Sequence, residues 1–131
     1  MIELVAGLTL MLSRVATSFL DKPVTVSCGN YSHAGDAQVG GNWIGLDRMS
    51  VCSGFSRAPG PWKSFSLFVF THEMGHSSGI KSERKADCFA LRNVVRVARV
   101  YFRYGRPDSR RLLRDARSIH SHADPEYRDP C

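Results

Sequence analysis

The chain is short of several things, and each shortage narrows what it can be. None of its cysteines, Cys28, Cys52, Cys88 and Cys131, forms a Cys-x-x-Cys pair, which excludes a cysteine zinc knuckle. No internal repeat or low-complexity tract is visible, and an apolar content of 43% excludes wholesale disorder. No clean apolar run is long enough to span a bilayer, which takes about 20 residues. The most apolar stretch, residues 2–20, carries Glu3 near its start and Arg14 inside. A signal peptide wants positive charge ahead of its apolar run, so that stretch fits neither role. Acids are scarce as well: 12 against 18 Lys and Arg, for a net charge of +6. Much of the excess lies between Lys81 and Arg117, and such a surface invites nucleic acid or an acidic membrane face.

What is present reads as one domain over residues 1–131, with a single modest core and no linker to split it. Leu4, Leu8, Met11, Val15 and Phe19 recur at helical spacing and predict a packed N-terminal helix, ended by Pro23. Residues 23–28 alternate like a half-buried strand. Residues 37–46 read as a second strand, with Gly40-Gly41 as a bulge or turn, and residues 49–52 as a short third. Pro61 suits the first turn of a helix that is apolar nearly all round, therefore buried, and stopped by Gly79. Ser82 is a candidate N-cap for the next helix, to about Tyr104. Asp108 can cap a last one over about 109–119, with an irregular tail over about 120–131. The fold class is α+β: an N-terminal helix, a small antiparallel sheet, then three helices.

The chemistry sits in His72-Glu73-Met74-Gly75-His76. On a helix, imidazoles at i and i+4 share a face and can grip one metal ion. The Glu between them lies beside that ion, placed to take a proton from water. A catalytic zinc keeps three protein ligands and one open position, so a third ligand is needed. Glu83, Asp87, Ala90, Val94, Val97 and Tyr101 fall on one narrow, otherwise small and apolar face of the following helix. Two carboxylates turned inward are costly unless a cation awaits them. Glu83 is assigned as third ligand and Asp87 as acceptor of a liganding imidazole's free N–H. The reverse assignment stays open.

These residues resemble the gluzincin metallopeptidases, in which a His-Glu-x-x-His helix is followed by a Glu-x-x-x-Asp or Glu-x-x-Ala-Asp helix. Here Glu83-Arg84-Lys85-Ala86-Asp87 supplies the second pattern. The resemblance implies a zincin-like fold with one Zn2+ per chain. It makes His72, His76 and Glu83 the ligands, Glu73 the general base and Asp87 their support. It implies a zinc-dependent endopeptidase acting on a peptide or protein substrate, held as an added strand on a sheet edge; residues 39–46 are the expected edge. More narrowly, Thr71-His72-Glu73, Gly79-Ile80 and Asp87-Cys88-Phe89-Ala90 are similar to small metallopeptidase-like proteins of actinobacteria and their phages. The pattern of Cys28, Gly35-x-Ala37 and Ile44-x-Leu46…Cys52 fits that group too. No motif marks the oxyanion-stabilising residue of larger gluzincins; Tyr101, Tyr104, His120, His122 and His33 are candidates.

Other readings remain. A basic nucleic-acid-associated protein could keep zinc as a structural clip, and an ImmA-like peptidase would cut one repressor of a mobile element. Arg92, Arg96, Arg99 and Arg103, enlarged by Arg110, Arg111, Arg114 and Arg117, read as a solvated helix back rather than a phosphate-tracking stripe. His120-Ser121-His122 reads as solvent-exposed rather than as a second metal site. Trp43 and Trp62 read as core. Cys28 and Cys52 each end a strand-like segment and are the expected disulfide, against four free thiols in a reducing cytosol. The compartment expected is cytoplasmic in preference to secreted.

Overall fold

The computed structural model describes residues 2–127 and 130–131, with side chains from residue 6 onward. Four helices and a small sheet form an α+β fold: α1 (Ile2–Leu20), β1 (Thr25–Gly29), β2 (Gly35–Ala37), β3 (Trp43–Asp47), α2 (Pro61–Ser77), α3 (Glu83–Tyr101) and α4 (Arg106–Ser121). No described helix is long and apolar enough to cross a membrane. Leu12, Val15 and Ala16 are buried on α1, with Leu8, Met11 and Phe19 packed beside them. Leu4 lies outside the described side chains.

The sheet is mixed rather than antiparallel. Its order is β1-β3-β2, with β1 parallel to β3 and β2 antiparallel to it. Within residues 37–46 the turn expected at Gly40-Gly41 forms rather than a bulge, with Gly40 at φ 70°, and it separates β2 from β3. β3 therefore lies in the centre, with Ile44 and Leu46 fully buried. Covered on both sides, it cannot offer the substrate-binding edge expected of residues 39–46. The outer edge of β1 lies against α1: Ser13 accepts the Val26 amide at 2.8 Å, and Thr17 accepts that of Val24, just ahead of the strand, at 3.0 Å. The edge left is β2. The expected strand at 49–52 is a turn, because the Asp47 carboxylate accepts both the amide and the hydroxyl of Ser50. A 3-10 turn follows at Cys52–Ser56.

α2 runs through the middle of the fold with Pro61 in its first turn, and Leu67, Phe70 and Met74 fully buried. Gly79, at φ 117°, lets the chain leave the helix where a side chain would be strained. Lys22 reinforces that end by donating to the carbonyls of Ser77, Gly40 and Gly41. Ser82 then caps α3 by accepting the Lys85 amide. α4 starts earlier than expected, with Gly105 rather than Asp108 at its N-cap, because Pro107 fits the first turn, and it continues through His120 to Ser121. Within the irregular tail, residues 128 and 129 lie outside the described residues. Trp43 is half-buried, whereas Trp62, expected in the core, is 47% exposed beneath the Arg57 guanidinium.

All four cysteines are bridged, Cys28 to Cys52 as expected and Cys88 to Cys131 in addition. The first bridge ties β1 to the turn before α2. Serine at both Cys28 and Cys52 should lower unfolding stability by about 3 kcal/mol, read from the denaturant midpoint. An unchanged midpoint would mean that the bridge contributes nothing.

Candidate metal centre

α2 presents His72, Glu73 and His76, and α3 crosses it bearing Glu83 and Asp87. Each imidazole is fixed through Nδ1. That of His76 donates to the Ile80 carbonyl at 2.7 Å, an acceptor placed by the Gly79 turn. That of His72 donates to the Asp87 carboxylate at 2.6 Å. With both Nδ1 protons committed, each Nε2 is turned to the same place. There the two oxygens of Glu83 meet them, at 3.0 Å from His72 Nε2 and 2.8 Å from His76 Nε2. Ligand atoms of His72, Glu73 and His76 lie within 4.8 Å of one another, and this group can hold a metal ion. Glu83 is brought to the two Nε2 atoms and Asp87 behind His72, the arrangement favoured over its reverse.

Burial would depress the His72 pKa, but the carboxylates of Asp87 and Glu83, aided by the charges of Glu73 and Asp87, raise it to about 9. Hydrogen bonding to His72 holds Glu83 below its ordinary value against the opposing effect of burial. Burial lifts Glu73 to about 7; the His72 charge opposes the rise and those of Glu83, Asp36 and Asp87 add to it. Glu73 packs so tightly on β2 that a Cβ at Gly35 would fall 2.9 Å from its Oε2. Only glycine at position 35 leaves that room.

A cleft of ≈ 590 Å³ opens onto this cluster. β2 contributes Gly35, Asp36 and Ala37, and α2 contributes Phe65, Phe68 and Val69. Tyr127 also lines it.

The expected oxyanion candidates are dispersed. Tyr101 hydrogen-bonds Ser18 of α1 at 2.9 Å and does not line the cleft. Tyr104 is buried near Lys63, its hydroxyl without a partner among the described residues, and does not line the cleft. His120 donates through Nδ1 to the second oxygen of Asp87 at 3.0 Å, and so buttresses the carboxylate that orients His72. His122 donates through Nδ1 to the Ser118 carbonyl of its own helix, whereas His120 turns to Asp87. His33 does line the cleft. Tyr127 was not among the candidates. Burial raises its phenol pKa, and the charges of Glu83, Glu126, Asp124 and Asp87 add to the rise. Nothing in the local sequence marked it; the Cys88–Cys131 bridge returns its segment to α3, one residue beyond Asp87.

No protein-family model, curated protein or solved structure matches the chain.

A proton on His72 competes with any metal ion. The folded pKa is raised from 6.5 to about 9, so this proton stabilises the metal-free chain fully below pH 6.5, and that stabilisation is lost as pH rises through 9. Zinc affinity should therefore rise by roughly tenfold per pH unit below 9 and then flatten, with proton release on binding. Competition titrations at several pH values would read this. An affinity independent of pH would refute the role given to His72.

Proposed function

We propose that the chain is a zinc-dependent metallopeptidase that hydrolyses peptide bonds in a peptide or protein substrate. One observation carries the reading: two imidazoles with committed Nδ1 protons face a shared carboxylate at Nε2, and the buried Glu73 stands beside them on an open cleft. Two imidazoles and one carboxylate are a donor set that suits zinc. His72, His76 and Glu83 would hold the ion. When bound, zinc supplies the Lewis acidity that polarises a carbonyl and makes a water molecule more acidic. A structural zinc is closed by four protein ligands, and the cleft beside this cluster supports the catalytic alternative.

The chain's own groups account for the remaining steps. Burial gives the Glu73 carboxylate, in the metal-free chain, a pKa of about 7, so it can accept a proton from the attacking water and return it to the leaving amine. Asp87, braced by His120, keeps the His72 ring in one tautomer. β2 is the sheet edge on the cleft, and an extended substrate would pair along it as an added strand. Phe65, Phe68 and Val69 offer its side chains an apolar wall. The Tyr127 phenol, which lines the cleft, would hydrogen-bond the substrate carbonyl oxygen as negative charge develops there. Two disulfides and no free cysteine support an oxidising compartment over the cytoplasm.

Glu73→Gln should retain zinc while peptide cleavage falls by at least about a hundredfold, the usual scale for a lost general base. Tyr127→Phe should also keep zinc and lose about a hundredfold in kcat. Metal analysis paired with digestion of a broad peptide library reads both. If the Glu73→Gln variant cleaves as well as the parent, the peptidase assignment fails.

A further inference from the structure

We propose that a hollow between α3 and the first turns of α4 is a phosphate-binding site, occupied by the sugar-phosphate backbone of a nucleic acid. The hollow measures ≈ 310 Å³ and is lined by Val95, Arg99, Arg106, Ser109, Arg110 and Leu113. It shares no residue with the imidazole cleft. Three of its lining residues are arginines and none is acidic. None of the three guanidinium groups has an ion pair or hydrogen bond among the described residues. Like charges gathered without counter-ions repel, and an oxyanion that accepts from the guanidinium forks removes the repulsion.

Ser109 points independently to a ligand. It is 8% exposed, and its hydroxyl is buried with no hydrogen-bond partner among the described residues. An unsatisfied buried hydroxyl is unfavourable unless something accepts from it. Ser109 lies near the start of the 16-residue α4, where the helix dipole favours negative charge. Asp108, the acid in that first turn, does not line the hollow.

A backbone fits better than an isolated anion because the positive surface continues beyond the hollow. Arg92, Arg96 and Arg103 lie exposed along and just past α3, and Arg111, Arg114 and Arg117 along α4. Of these, Arg96 also sits over the Phe19 ring. A phosphate seated in the hollow would leave neighbouring phosphates within this field. The Val95 and Leu113 side chains give a sugar an apolar surface to rest on.

The test is fluorescence anisotropy of the full chain with a labelled single-stranded oligonucleotide of about 20 nucleotides, over about 50 to 200 mM salt. Calorimetry with inorganic phosphate runs alongside, and circular dichroism checks every variant for folding. Binding should weaken steeply with salt. The triple variant R99A/R106A/R110A should lose at least about tenfold in affinity and about 3 from the salt slope, near one per phosphate contact. Ser109→Ala should lose a few-fold with the slope unchanged, and Glu73→Gln should bind as the parent does. The control triple R92A/R111A/R117A, equal in charge removed but outside the hollow, should lose less. Equal losses in the two triples would overturn the site in favour of diffuse surface charge. Absence of salt-dependent binding would overturn it outright. Saturable heat from inorganic phosphate without oligonucleotide binding would overturn the nucleic-acid occupant and leave a site for a free phosphate group.

Discussion

The seam between α2 and α3 is where the physical constraints of this molecule meet. A carboxylate from each of three positions, Glu73, Glu83 and Asp87, is gathered around two imidazoles, and most of that set is shut away from water. Buried like charges are costly unless a cation or protons balance them. In the metal-free chain a proton on His72 does part of this work, which is why its pKa climbs despite burial. The group can thus be balanced by protons or by a metal ion. Its geometry depends on small local devices: the Gly79 turn that offers the Ile80 carbonyl to His76, the Ser82 cap that starts α3 one residue before Glu83, and a face of Ala86, Ala90 and Val94 slim enough for close packing.

The rest of the fold holds that seam still and shapes access to it. A chain of this size buries a limited core, and covalent and charged staples add to it. Cys28–Cys52 fastens the sheet to the loop before α2, Lys22 gathers three carbonyls at the end of α2, and Cys88–Cys131 draws the last residues against α3. The same covering that stabilises the sheet limits where a substrate can pair. α1 occupies the edge of β1 and leaves β2 beside Glu73.

Charge is divided between two regions. Acids cluster at the imidazole cleft, whereas arginines dominate the exposed surfaces of α3 and α4. α3 carries both, with Glu83 and Asp87 at its start and Arg92, Arg96 and Arg99 further along. One helix can thus serve a cation site at one end and an anion site towards the other, because solvent and distance screen the two fields from each other.

Local sequence was enough wherever the physics is local. The i, i+4 spacing placed His72 and His76 on one face. The same periodicity put Glu83 and Asp87 on the face of α3 that turns to meet them, and Pro61, Gly79 and Ser82 marked helix ends through their own backbone and capping preferences. What failed to show was long-range. Alternation along residues 23–28 and 37–46 cannot tell a parallel partner from an antiparallel one, so the central position of β3 and the free edge of β2 were decided by packing. Tyr127 reaches the cleft because a distant disulfide returns the tail, and His120 meets Asp87 because α4 folds back across the bundle. A helix dictates its own spacing through its hydrogen bonds, but which side chain arrives from elsewhere in the chain is settled only when the elements pack together.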